Sequence, residues 1–277
     1  MDTARTDSSL PFVSPADLAS RLGRADAPLV LDVRRAAAYD VAPRVIAGAL
    51  RVAPDALSGA LGAFPRGRSV VTYCVHGHEV SQNAARTLIE AGVDATFLEG
   101  GITAWQAAGL PAMAKLADPA LPAAPGAPTR WITRARPKID RIACPWLIRR
   151  FIDPSAHFLY VPAAAVMDAA RRENAVPYDV PGVRFAHRGE RCNFDALIED
   201  CGLDDPALAD LAAIVRGADT GKPELTPQSP GLLAMSLGLS INFSDDHAML
   251  EQGMVVYDAL YSWVRSARAA ADKAGKQ

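Results

Sequence analysis

Residues 70–81 read VVTYCVHGHEVS. Val70, Val71, Thr72 and Tyr73 have the β-branched and aromatic character of a strand, and they run directly into Cys74. A seven-residue loop with Gly77 at its centre follows, and then a helix-forming run over 83–89. Strand, cysteine, tight loop and helix in this order favour a thiolate. Loop N–H groups turn toward the sulfur, and the positive end of the next helix dipole favours the anion. A thiol with its pKa lowered in this way is a nucleophile. Alone, the same residues also fit a buried strand-end cysteine that only packs, so the flanks decide.

Upstream, residues 29–34 (LVLDVR) form an apolar run ending in Asp32 and Arg34, and 45–57 (VIAGALRVAPDAL) follow it. Downstream, residues 98–111 read LEGGITAWQAAGLP. In order and spacing these segments resemble the single-domain rhodanese family over roughly residues 12–114. The resemblance implies a parallel sheet flanked by helices and a persulfide carried on Cys74. It places His76, Gly77, His78 and Glu79 around that sulfur. The usual active loop of the family is C-x-x-G-x-R-S. Here Cys74 and Gly77 keep their places, Glu79 stands where the arginine would be and Val80 where the serine would be. An arginine would help bind anionic thiosulfate, whereas Glu79 would repel it. His76 and His78 supply positive charge only when protonated.

The chain has 277 residues, enough for two domains, and half of them are hydrophobic. Its 29 basic and 31 acidic side chains leave a formal charge of −2, which argues against a nucleic-acid partner. Cys74, Cys144, Cys192 and Cys201 form no CxxC pair and no disulfide framework, as expected of a reducing compartment. The polar start MDTARTDSSLPF lacks the apolar core of a secretion signal, and no apolar run is long enough to span a membrane. A cytoplasmic protein without membrane contact is expected.

The first domain, 12–115, alternates short apolar strands with helices, as an α/β fold does. Ser14 before Pro15 reads as an N-cap with proline at the first helical position. Strands are expected at 29–33, 69–73 and 94–98, and helices at 82–91 and 101–108. Residues 116–128 (LADPALPAAPGAP) read as an extended, semi-rigid linker. The second domain, 129–270, reads as an α-dominated α+β unit. Its strands are expected at 129–134 and 157–162, with two short extended segments in 176–189. Helices are expected near 140–152 and at 163–174, 194–202, 205–219, 230–243 and 245–271, the one at 230–243 buried. The last helix carries Met249, Met254, Val255, Tyr257, Leu260, Tyr261 and Trp263, a stripe suited to a core or a homodimer contact.

Residues 133–162 crowd Arg134, Arg136, Lys138, Arg141, Arg149 and Arg150 around Asp140 and Cys144. Pro145 would either kink a helix there or begin one with Cys144 as its N-cap, and basic neighbours would lower the Cys144 pKa. This segment, with 187–205, 214–221 and 243–263, resembles the C-terminal domain of the chromate-resistance ChrB family. Some members of that family carry a winged-helix domain in front. Here the rhodanese-like segment takes its place, so a DNA-binding role does not carry over.

The residue types of the second domain suggest a site. Arg141, Arg149, Arg150 and Cys144 are candidates for oxyanion binding, since guanidinium forks fit tetrahedral anions. Asp140, His187, Glu190, Cys192, Asp219 and His247 are candidates for a transition metal, the one cofactor suggested. Their order matches no compact metal motif. The leading reading is a sulfurtransferase that passes sulfur through Cys74 between a small donor and an acceptor such as Cys144. The competing reading is a sensor or binding protein for sulfur or chromate-like oxyanions that uses the rhodanese fold as an interaction module.

Overall fold

The computed structural model describes residues 10–275. The first nine residues, on which part of the expectation about a leader rests, lie outside them. The first domain comprises β1 (Phe12–Val13), α1 (Pro15–Arg21), β2 (Leu29–Asp32), α2 (Ala36–Val41), β3 (Arg44–Ile46), β4 (Ala49–Arg51) and α3 (Leu57–Ala60). It continues with β5 (Val70–Tyr73), α4 (Glu79–Glu90), β6 (Ala95–Leu98), α5 (Gly101–Ala107) and β7 (Ala112–Ala114). The main sheet has the order β1-β6-β5-β2-β4, with every pair parallel. Of the three inner strands, β2 and β5 are buried along their whole length, as continuous apolar runs between helical layers are. Ser14 does cap α1, its hydroxyl accepting from the Asp17 N–H at 3.1 Å.

Helix α4 begins at Glu79, three residues earlier than expected, so only residues 75–78 separate Cys74 from it. Glu79 in the first turn suits the positive helix end. The shorter loop brings the unpaired N–H groups of that turn closer to the sulfur.

The stretch expected to be an extended, semi-rigid linker is folded back and packed. Residues Leu116–Ala117 (β8) and Ala120–Leu121 (β9) form a small antiparallel ribbon. Leu121 and Ala123 are buried, and the Ala123 carbonyl accepts from the Arg51 N–H at 2.9 Å.

The second domain holds β10 (Arg130–Arg134), α6 (Asp140–Leu147), β11 (His157–Val161), α7 (Val166–Glu173) and β12 (Val176–Pro177). Helices α8 (Asn193–Asp200), α9 (Pro206–Asp219), α10 (Ser229–Asn242) and α11 (Asp246–Ala274) complete it. The three strands form a parallel sheet in the order β11-β10-β12. Residues 183–189 make only isolated bridges rather than the second extended segment expected. Pro145 lies inside α6, and Ile139, not Cys144, precedes the helix. The chain then continues as one π-helical turn, Ile148–Ile152.

Helix α10 departs from its expected burial. Its buried residues are Ser229, Leu232, Ser236 and Ser240, while Met235, Leu237 and Ile241 face outward. The small serines allow close approach and supply hydroxyls to neighbours. Of the α11 stripe, Met249, Met254, Tyr257 and Tyr261 are core, whereas Val255 and Trp263 are exposed.

One apolar cluster joins the two domains, running from Leu29, Val45 and Leu50 to Trp146, Phe151 and Tyr261. A Cβ added at Gly23, whose φ is +77°, would lie 2.5 Å from a Tyr261 ring carbon. At Gly48 it would lie 3.2 Å from the Arg150 carbonyl. Arg44 bridges to the Gly202 carbonyl at 2.8 Å, and the Ala114 N–H donates to the Cys201 carbonyl at 2.8 Å. Gly23 precedes β2 and Gly48 precedes β4, so both contacts fall at the amino ends of the parallel strands. Among the described residues no helix is long and apolar enough to cross a membrane.

Candidate functional site

Cys74 stands at the carboxyl end of β5, the position at which open parallel sheets present reactive groups. Two glycine contacts shape its loop. A Cβ on Gly77 (φ +72°) would lie 2.6 Å from the Leu98 carbonyl, and one on Gly101 (φ +58°) 2.5 Å from the Cys74 carbonyl. The loop therefore nests against the start of α5 with no room for side chains. The Ile102 N–H donates to the Cys74 carbonyl at 3.0 Å, and the Thr103 N–H to the Val75 carbonyl at 3.1 Å. This is the structural use of the Leu-Glu-Gly-Gly run.

Burial pushes the Cys74 thiol up, but hydrogen bonds from the Ser81 hydroxyl and from the backbone at Ser81, His76 and His78 outweigh it. The net pKa lies below that of an ordinary thiol. The Ser81 hydroxyl is 3.1 Å from Sγ. Sequence reading missed Ser81, because it sits one position beyond the serine of the usual loop pattern. His76, His78 and Glu79 are exposed around the loop. The two imidazole rings lie 5.9 Å apart, and His76 Nδ1 is 3.3 Å from the Thr103 hydroxyl. Glu79 lines a hollow of about 160 Å³ that also includes Arg35. Behind the loop, Asp32 and Arg34 form a buried ion pair, and the Tyr73 hydroxyl donates to Asp32 at 2.8 Å.

The remaining thiols differ. Cys144, Cys192 and Cys201 are wholly buried. Burial first, and then Asp140, push Cys144 well up, opposite to the lowering expected from its basic neighbours. Those arginines do not reach it; its sulfur lies 3.7 Å from Asp140 Oδ1 and receives Asn193 Nδ2 at 3.2 Å. Burial raises Cys192 as well, and takes Cys201 to about 12. Cys192 caps α8 together with Asp195. Cys144 therefore cannot serve as an accessible receiving thiol.

A second constellation lies in the second domain. Asp140 opens α6, Asp219 closes α9, and Asp179 and His187 come from the irregular segment between β12 and α8. His187 Nε2 is 3.3 Å from Asp140 Oδ2, 3.3 Å from Asp219 Oδ2 and 3.5 Å from Asp179 Oδ1. The Asp140 hydrogen bond lifts His187 to about 9, and burial with the nearby Asp140 charge lifts Asp219 to about 7. Arg134 and Arg141 both pair with Asp179, at 2.7 and 3.1 Å. Of the expected metal residues, Asp140, His187 and Asp219 come together. Glu190 is exposed and paired with Lys222, and His247 stacks edge-on against Tyr160. Asp179 and Asn193 were not anticipated; Asp179, at φ +51° in a Tyr-Asp-Val-Pro-Gly turn, reads locally as a turn residue.

The expected oxyanion set does not converge. Arg141 serves Asp179, whereas Arg149 pairs with Glu251 at 2.8 Å and Arg150 holds Asp258 with two bonds at 2.8 and 2.9 Å. Each guanidinium is already answered by a carboxylate.

Residues 14–108 match the family described as a rhodanese-like domain, and residues 131–264 the family described as ChrB, C-terminal domain. The chain joins a rhodanese-like domain to a ChrB C-terminal domain. It is 36% identical over 140 residues to Protein ChrB of Cupriavidus metallidurans. That alignment takes in 50% of this chain and 42% of that protein, so the chain matches less than half of the curated relative's length. Among solved structures, a rhodanese-related protein from Thermoplasma volcanium is 26% identical, with 37% of this chain and 96% of that one covered and a TM-score of 0.33. The thiosulfate sulfurtransferase of Pseudomonas aeruginosa is 31% identical, with 37% of this chain and 19% of that one covered and a TM-score of 0.33. Both structural matches cover just over a third of this chain; the family match places the rhodanese-like domain at 14–108.

Proposed function

We propose that the rhodanese-like domain is a sulfurtransferase that carries sulfane sulfur on Cys74, within a protein of chromate-resistance type. The observation that carries this reading is the Cys74 sulfur at 3.1 Å from Ser81 Oγ, at the mouth of a loop whose backbone favours the anion. The Cys74 thiolate attacks the outer sulfur of a sulfane donor. The new S–S bond forms as the donor's own S–S bond breaks, and the electron pair leaves with the donor remnant, a thiolate or sulfite. The outer sulfur then passes to a nucleophilic acceptor, and the Cys74 thiolate returns. No net oxidation occurs, and no metal or cofactor takes part in these steps.

Residues 75–81 hold the negative charge in both the thiolate and the persulfide. Preorganised N–H donors at such a place need no reorganisation during transfer. Exposed Glu79 sets the donor preference: a low-charge polysulfide or organic persulfide is favoured over dianionic thiosulfate. The accepting molecule is a small nucleophile from solution, since the ChrB domain contacts the opposite, amino end of the strands and its cysteines are buried.

The test is thiocyanate release from cyanide with a polysulfide or thiosulfate as donor. Turnover that disappears in Cys74→Ser, with the fold intact, supports the reading. Equal release by wild type and variant points instead to a binding module on the same fold.

A further inference from the structure

We propose that Asp140, His187 and Asp219 of the ChrB domain bind a divalent first-row transition-metal ion, of the zinc or cobalt type. The three residues each offer a donor atom, and those atoms lie within 4.8 Å of one another. The two 3.3 Å separations from His187 Nε2 match the edge of a tetrahedron with bonds of about 2.0–2.1 Å, roughly 3.3 Å. They are longer than a charge-assisted hydrogen bond, which is typically about 2.7–2.9 Å. One imidazole N–H can satisfy one carboxylate, yet this nitrogen stands almost equally far from three. A shared cation answers that geometry; a single proton does not.

Charge gives the same answer. Asp179 has two guanidinium partners, but Asp140 and Asp219 have only the half-exposed His187 as a cationic partner among the described residues. Asp140 is 1% exposed, and buried carboxylates demand compensation.

An independent observation borders the cluster. Asn193 is wholly buried, and its N–H donates to Asp140 Oδ2 at 2.7 Å. Its Oδ1 has no partner among the described residues. An unanswered buried amide oxygen beside a carboxylate–imidazole group is an acceptor that a metal or its bound water would satisfy. Arg134 and Arg141 fix Asp179 alongside, in the manner of outer partners that orient a metal site. His187 also lines a hollow of about 450 Å³ with Arg134, Val180 and Ala186, which gives an ion and small ligands a way in. The donor set is nitrogen and oxygen: His187 faces Asp140 Oδ2, whereas the Cys144 sulfur lies 3.7 Å from Asp140 Oδ1.

The experiment uses the full chain, stripped with chelator and titrated with Zn²⁺ and, separately, Co²⁺. Wild type is expected to take up one equivalent of Zn²⁺ more than His187→Ala or Asp219→Asn. Its Tm is expected to rise by about 5 °C at saturating zinc. Co²⁺ should give visible bands of a low-coordinate nitrogen and oxygen site without a thiolate charge-transfer band. The cobalt spectrum is read on wild type, so it stands even if a variant misfolds. Equal zinc uptake by folded variants, a purely thiolate cobalt spectrum, or no uptake of either ion would overturn the proposal.

Discussion

At the residue scale, the proposed sulfur transfer rests on Cys74 and Ser81. The four thiols differ sharply: Cys74, 6% exposed, is held low by its hydrogen bonds, and the three wholly buried ones are pushed up. Brief alkylation at neutral pH, followed by peptide mapping, is expected to label Cys74 first. A group with a lowered pKa is charged over more of the pH range, so the labelling rate should reach its half-maximum below pH 9, the ordinary thiol value. Replacing Ser81 by alanine removes one donor to the charged form. The Cys74 pKa should rise, and labelling at pH 7 should slow several-fold. An unchanged pH profile in Ser81→Ala would show that the hydroxyl does not stabilise the thiolate. Glu79→Arg replaces a repelling charge with a fork donor at the loop, and a several-fold lower KM for thiosulfate is expected. An unchanged KM would place residue 79 away from the donor.

At the scale of elements, the second constellation depends on the turn that starts α6. Ile139 is held at φ +43°, an unusual conformation for a β-branched residue. Both of its backbone groups are answered from other helices. Its N–H donates to Ser236 of α10 at 2.6 Å, and its carbonyl accepts from the Tyr257 hydroxyl of α11 at 3.0 Å. Ser236→Ala leaves a buried N–H unpaired, so a loss of about 1–3 kcal/mol is expected in urea unfolding. A loss no larger than that of an exposed serine substitution would contradict the assignment. The same helix shows where sequence reading stops. Strand–Cys–loop–helix order was legible around Cys74 because the signals are local: β-branched residues, a glycine and a helical run. The apolar run of α10 suggested a buried helix, but the buried positions went to serines that serve distant backbone groups. Asp140, His187 and Asp219 were identifiable as ligand types, yet nothing local separates them from Glu190 or His247, which lie elsewhere. The arginines around Cys144 suggested a basic, activating setting; their partners on α11 and in the Asp179 turn are set by tertiary packing.

For the whole molecule, the two domains share one apolar cluster and meet at the amino ends of the first sheet. Denaturant unfolding is therefore expected to show coincident transitions by fluorescence and by circular dichroism. Gly23→Ala forces a Cβ against Tyr261 at a positive φ and should lower the common midpoint. Two separated transitions, only one of them shifted, would contradict the shared core. The same arrangement leaves the Cys74 loop at the opposite end of the sheet, free to meet small molecules from solution. The proposal that Cys74 carries sulfane sulfur is tested most directly by intact mass. Protein incubated with a polysulfide and desalted should gain the mass of one sulfur atom, removable by cyanide and absent in Cys74→Ser. No gain with polysulfide, organic persulfide or thiosulfate, or a gain that survives in Cys74→Ser, would contradict it.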